Sequence, residues 1–158
     1  MENMTIRIAE TKDIDRILML LSQVLEVHAN IRPDIFKSGT TKYSHEEIKG
    51  ILDDEKKNIY VADIDGNVVG YAFCELREPK FTSTMIPFSS YYIDDLCVDE
   101  TYRGKHIGEA LFEYVKKEAS RLGCREITLA VWEGNEPARA FYDKMKMHPK
   151  ETIMELKI

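Results

Sequence analysis

One stretch of this 158-residue chain combines residue types and spacing that chemistry can use. It runs from Val98 to Ala110 and contains the basic, glycine-containing loop Arg103-Gly104-Lys105-His106-Ile107-Gly108. The loop leads through Glu109 into an amphipathic helix with Leu111, Val115, Ala119 and Leu122 on one stripe. The first turn of a helix presents unpaired N–H groups and the positive end of the dipole. Gly104 and Gly108 let the backbone approach a ligand closely, and Arg103 and Lys105 add charge and donors. The chemistry these features suit is retention of a pyrophosphate held mainly by main-chain amides. Two familiar phosphate loops are excluded: neither G-x-x-x-x-G-K-[ST] nor G-x-G-x-x-G occurs, and the loop follows a hairpin rather than opening a βαβ unit.

The elements that must position this loop are legible in the hydrophobic periodicity. Thr5 to Ala9 alternates as a strand. Asp13 to Val27 has helical spacing, with Thr11 as its expected N-cap, and Ser44 to Leu52 is a second helix opened by a Ser44/Glu47 capping box. Ile59 to Ile64 and Val68 to Leu76 form a hairpin around Asp65-Gly66, and Glu78 to Ser90 is an irregular excursion. Tyr91 to Val98 is a strand, Gly108 to Leu122 a helix stopped by Gly123, and Glu126 to Trp132 a strand. Pro137 to Met145 is a helix with Pro137 in its first turn, and the alternation from Glu151 to Lys157 predicts a last strand. The order describes one α/β (α+β) domain over residues 1–158, a mixed sheet flanked by helices.

Composition narrows the function. The net charge of −6 argues against general binding to nucleic-acid backbones. No apolar run approaches the length needed to cross a bilayer, and the start of the chain lacks a basic segment followed by an apolar one. Cys74, Cys97 and Cys124 have no metal-site spacing and read as reduced core thiols of a cytoplasmic protein. His28, His45 and His148 are isolated, and no metal is expected.

At this point the chain resembles the GCN5-related N-acetyltransferase superfamily, whose signature [QR]-x-x-G-x-[GA] opens the helix after the fourth strand. Here it reads Arg103 to Gly108, with His106 in place of the middle glycine. The preceding strand, Tyr92-Ile93-Asp94-Asp95-Leu96-Cys97-Val98, and the later element Asn135-Glu136-Pro137-Ala138-Arg139-Ala140-Phe141-Tyr142, an N-x-x-A-x-x-F-Y pattern, also match. The resemblance implies a mostly antiparallel central sheet. It also implies acetyl-CoA as co-substrate and transfer of its acetyl group to a primary amine, on a small molecule or a peptide, by direct attack in a ternary complex. A homodimer is common in the superfamily. The alternative is a CoA-binding sensor that has lost catalysis, to which His106 points.

Residue roles follow from the same resemblance. The backbone of Leu96, Cys97 and Val98 would pair with the pantetheine arm, one N–H polarising the thioester carbonyl. The amides of Arg103, Gly104, Lys105, His106, Ile107 and Gly108, with Glu109 beside them, would hold the pyrophosphate. Asn135 would hydrogen-bond the pantetheine arm, with Ala138, Phe141 and Tyr142 completing the cofactor contacts, and Tyr142 would protonate the departing thiolate. The attacking amine must be neutral, so a base is needed. Asp94 and Asp95 are the candidates, expected on opposite sides of their strand, with Glu75 as a third. Arg32-Pro33-Asp34-Ile35-Phe36 would wall the acceptor site, or form a plain interhelical turn, and Trp132 lines the cleft or the core. The acidic balance favours a cationic acceptor.

Overall fold

The computed structural model describes residues 3–78 and 83–158. The part of the expected excursion from Pro79 to Thr82 lies outside the described residues, as do Met1 and Glu2. Among the described residues a single sheet has the order β1 (Met4–Ile8), β2 (Lys57–Ile64), β3 (Asn67–Arg77), β4 (Ser90–Val98) and β5 (Glu126–Thr128). All neighbours are antiparallel except the parallel pair β4–β5. Asp65 and Gly66 both take positive φ, 50° and 87°, as a two-residue hairpin turn requires.

Period-two burial along the strands separates two apolar layers. On one face Tyr60, Ala62, Ala72, Cys74, Tyr91 and Ile93 pack against Ile107, Leu111, Phe112 and Val115 of α3 (Ile107–Arg121). On the other, Ile59, Val61, Val68, Tyr71, Phe73 and Cys97 meet α1 (Ile14–Ile31) and α2 (His45–Leu52) through Ile14, Ile17, Leu20, Leu21 and Ile48. α2 carries the Ser44/Glu47 capping box in both directions. A fourth helix, α4 (Glu136–Lys144), lies beside α3 through Phe141.

Three expectations are corrected. Thr11 caps nothing: a 3-10 turn, Thr11–Asp13, precedes α1, and its capping box is Glu10 with Asp13, whose carboxylate also takes Arg7 at 2.8 and 3.0 Å. β5 ends at Thr128 rather than Trp132, because β4 and β5 separate there and no ladder continues. The last strand is absent. Residues 149–158 form no ladder, although their alternation is that of a strand. Ion pairs hold this tail instead, from Arg32 to Glu155 (2.7 Å) and from Lys157 to Asp34 (2.8 Å).

α1 also fixes where β4 ends. The Arg16 guanidinium donates to the Val68 carbonyl at 2.7 Å and pairs with Asp99, which is only 3% exposed. Asp99 in turn accepts from the backbone N–H and hydroxyl of Thr101, both at 3.0 Å, and Gln23 accepts from the Glu100 N–H at 3.1 Å. These charge-assisted bonds hold the Asp99 carboxylate below its ordinary pKa against the opposing effect of burial. Replacing Asp99 by Ala strands the Arg16 charge and two donors, so Asp99→Ala is expected to lower unfolding free energy by about 2–3 kcal/mol, read from urea denaturation of parent and variant.

Candidate active site

The backbone of β4 is the first component of the site. β3 pairs with it from Ser90 to Val98, but β5 pairs only with Ser90, Tyr91 and Tyr92. From Ile93 to Val98 the edge facing β5 has no strand partner among the described residues, so Leu96, Cys97 and Val98 border an open cleft. Free edge N–H and C=O groups can take an added extended chain. The Cys97 side chain points away from chemistry. It is buried against α1, with Sγ 3.8 Å from the Leu20 carbonyl, and burial pushes its thiol up to about 12, far from a thiolate nucleophile.

β4 runs through Asp99 and a 3-10 turn, Glu100–Tyr102, into the loop before α3. Gly104 sits at φ 80°, in the left-handed region that favours glycine. His106 is the N-cap residue, also left-handed at φ 62°, and makes no side-chain cap bond. The first-turn amides of α3 therefore lack the usual side-chain acceptor. The His106 ring is exposed and turns to Glu109, with Nδ1 3.4 Å from its carboxylate; Glu109 also pairs with Lys144 of α4. Arg103 has no carboxylate partner among the described residues, and Lys105 lies over the Tyr102 ring at 5.1 Å. Gly108 serves packing: a Cβ there would stand 3.2 Å from the Phe141 ring, so its missing side chain admits α4 rather than a ligand.

The carboxylates are arranged differently from the strand alternation expected. Phe73 pairs with Asp95 and Cys74 with Ile93, so Asp94 is the extra residue of a β-bulge. A bulge interrupts the period of two, and both carboxylates reach the α1/α2 face. Asp94 accepts from the Tyr43 hydroxyl and from Lys42 Nζ at 3.0 Å, and Asp95 accepts from the Tyr71 hydroxyl at 2.9 Å. Burial is the main cause that raises the Asp95 carboxyl to about 6; Lys42 and the Tyr71 hydrogen bond oppose it, while the Asp94 charge adds to it. Glu75, two residues along β3 from Phe73, is half-buried and pairs only weakly with Arg77 at 3.9 Å. Lys42 and Tyr43 are site residues with no sequence signal; they precede the α2 capping box, and only the fold carries them to Asp94.

On the opposite face Tyr142 packs against Phe141 and Phe112, at ring distances of 5.1 and 6.4 Å. Its hydroxyl makes no hydrogen bond among the described residues, and burial, with the charge of the Asp95 carboxylate, raises its pKa, so it holds its proton at neutral pH. The field of Asp95 thus reaches Tyr142 from the far side of the sheet. Asn135 caps α4, its Oδ1 accepting from the Ala138 N–H at 3.3 Å, which leaves its amide NH₂ for other partners. Beside it, Val131 to Glu136 with Arg139 and Asp143 line a cavity of about 320 Å³. Trp132 is 37% exposed, edge-on to Phe36 at 5.4 Å with Arg32 above its ring at 5.8 Å, so the Arg32 to Phe36 segment packs as a wall beside it.

Comparison with known proteins agrees with this geometry. Residues 23–147 match the model of the Acetyltransferase (GNAT) family. An uncharacterized N-acetyltransferase of Methanocaldococcus jannaschii is 25% identical over 112 residues, 71% of this chain. The match covers 48% of that relative, so the chain spans about half of its length. A mutant of the BH1408 protein from Bacillus halodurans superposes with a TM-score of 0.93 at 32% identity, over 98% of this chain and 99% of that one. An aminoglycoside N-acetyltransferase in complex with CoA superposes with a TM-score of 0.74 at 14% identity, over 100% of this chain and 96% of its own, a likeness of fold alone.

Two outcomes follow from the site's energetics. Because the pKa of Asp95 is raised to about 6, the folded state binds its proton more tightly than the unfolded chain, and that stabilising contribution is lost as pH rises through about 6. Asp95→Asn should therefore gain stability over the parent at about pH 7.5 and match it near about pH 4 in paired denaturation curves; a pH-independent difference would contradict this. His106→Gly relieves a left-handed residue but loosens the unfolded chain, so its net effect should stay within about 1 kcal/mol, with CoA affinity by calorimetry unchanged within about threefold (about 0.6 kcal/mol).

Proposed function

The chain belongs to the Acetyltransferase (GNAT) family, and from that premise we propose that it transfers the acetyl group of acetyl-CoA to the primary amine of a cationic small molecule by direct attack. One observation carries the reading: among the described residues the β5-facing edge of β4 beyond Tyr92 is free, and β4 leads through a short turn and the basic loop to a helix start without a side-chain cap. An extended pantetheine arm can add to the first as a strand, while a pyrophosphate takes the amides from Arg103 to Gly108. The aminoglycoside enzyme of like fold was solved in complex with CoA, which supports an acyl-CoA as the donor.

The thioester supplies an acyl group activated for attack. A backbone N–H among Leu96, Cys97 and Val98, on the unpaired part of β4, stabilises the oxyanion that forms on its carbonyl in this reading. Asp95 receives the proton lost by the amine, directly or through water, and Asp94 with Tyr43 and Lys42 forms the adjoining wall. The amine nitrogen bonds to the carbonyl carbon, the carbon–sulfur bond breaks, and Tyr142 gives its proton to the departing thiolate. A raised phenol on one face and a carboxyl near 6 on the other divide the acid and base roles. The buried thiol of Cys97 supports direct attack over an acyl-cysteine route.

Acetyl-CoA turnover across a panel of diamines, aminoglycosides and amino acids tests the reading. Tyr142→Phe should lower kcat by about 10²–10⁴ with CoA binding retained. For the parent, kcat/KM should rise with pH along a limb near about 6 that Asp95→Asn removes. Tight acetyl-CoA binding without turnover of any amine would favour a sensor instead, and no CoA binding at all would overturn both.

A further inference from the structure

The connection between α1 and α2 carries an ammonium of its own to the carboxylates of β4. Lys42 Nζ donates to Asp94 twice, to Oδ1 at 3.0 Å and to the main-chain carbonyl at 3.2 Å, and lies 5.7 Å from the centre of the Tyr43 ring. The Tyr43 hydroxyl holds the other oxygen of the same carboxylate, and its ring is fixed by stacking on Phe73 at 5.5 Å. A carboxylate, a carbonyl and an aromatic face that converge on one point are the groups that recognise a primary ammonium. Asp94 lies on the length of β4 that β5 leaves unpaired, about 7 Å along the strand from Leu96. The charge of Lys42 also reaches His28, which stacks on Phe36 at 5.2 Å in the wall that continues to Trp132. Burial first, and the Lys42 charge second, hold the His28 imidazole below its ordinary pKa, so His28 adds no second cation at neutral pH.

The Lys42 side chain can leave while the backbone around it stays. Glu26 holds the Ser38 hydroxyl and the Gly39 N–H, both at 2.6 Å, and the Thr41 hydroxyl donates to the Tyr43 carbonyl at 2.9 Å. Ser44 then opens the α2 capping box. Lys42 itself is 43% exposed, so its flexible stem has a way into water.

We propose that Lys42 is a specificity-determining latch: its ammonium fills the subsite on Asp94 and Tyr43 that takes the acceptor's ammonium, and only a cationic acceptor displaces it. The inference rests on the acetyl transfer proposed above. Exchange of one ammonium for another leaves Asp94 with a counter-charge throughout. A neutral or anionic molecule that displaced Lys42 would strand that carboxylate beside the Asp95 carboxyl. Once docked, the acceptor ammonium sits one residue from Asp95, which takes its proton before attack. Asp94 thus binds the charged form and Asp95 generates the neutral one. Because the subsite is open only while Lys42 is away, the latch weakens the apparent affinity of every acceptor by the fraction of time it is closed.

Steady-state kinetics over the amine panel, with Lys42→Met and Lys42→Arg beside the parent, tests this. Methionine keeps an unbranched apolar stem against Tyr43 and removes the ammonium. Lys42→Met should lower KM for the amine by roughly tenfold, as for a subsite closed about 90% of the time, with kcat and KM for acetyl-CoA held within about threefold. Lys42→Arg keeps a cation and forks onto the carboxylate, so its amine KM should equal or exceed that of the parent. A lysine that only fastened the connection to β4 would give the reverse, a raised KM in Lys42→Met restored by arginine. That result, or an unchanged KM in Lys42→Met, overturns the latch and leaves acetyl transfer standing. If CoA binds but no amine turns over, the same comparison is read by calorimetry with diaminobutane added to the CoA complex. There tighter binding to Lys42→Met than to the parent supports the latch, and no gain in affinity overturns it.

Discussion

Two parallel strands that separate after three rungs must satisfy their freed backbone groups elsewhere. Here β4 stays paired with β3 on both sides of the bulge at Asp94 but loses β5 beyond Tyr92, leaving the edge of Ile93 to Val98 open among the described residues, in the middle of the sheet rather than at its rim. Such an opening is stable only if both sides are braced. On one side α3 packs through Ile107, Leu111 and Phe112. On the other, α1 grips the end of β4 through Arg16 and Asp99. The cleft, the helix start above it and the carboxylates beside it all inherit their positions from this separation.

The electrostatics of the site depend on the bulge at Asp94. In a regular strand one of two adjacent carboxylates would enter the α3 layer, where its charge would lack partners. The bulge turns Asp94 to Tyr43 and Lys42 and leaves Asp95 facing Tyr71. The pair is thereby divided: Asp94 has a cation, while Asp95 is held by a phenol in a desolvated place and is raised to about 6. A like charge next door, burial and an incomplete countercharge act together, an arrangement found where proton transfer is needed. Tyr142 is raised from the other face by burial and by the same carboxylate.

The loop before α3 shows how one residue type can be used for different reasons. Gly104 is needed for its positive φ, whereas Gly108 is needed because Phe141 occupies the place of a side chain. His106 takes a left-handed conformation that glycine would adopt without strain, and its exposed ring rests on Glu109. Lys146 after α4, at φ 72°, is another non-glycine residue in that region.

Local pattern determined much of this protein. The Ser44/Glu47 capping box, the Asp65-Gly66 turn, the α3 stripe of Leu111, Val115 and Ala119, and the basic loop at a helix start are properties of a few consecutive residues, so they were legible in the sequence. Family resemblance added Asn135 to Tyr142. What depends on contacts between distant segments was not legible. The bulge that brings Asp94 and Asp95 to one face is set by pairing with Phe73 and Cys74, and Lys42 and Tyr43 meet Asp94 only when the α1–α2 connection folds over β4. Alternation from Glu151 to Lys157 announces a strand, yet a strand exists only where a neighbour offers its backbone, and among the described residues none does. The sequence by itself determined the pieces and the basic loop at the start of α3; the tertiary structure decided which edge stays open, which way the carboxylates face and which strand goes unpaired, because hydrogen-bond partners and burial are supplied by residues far away in the chain.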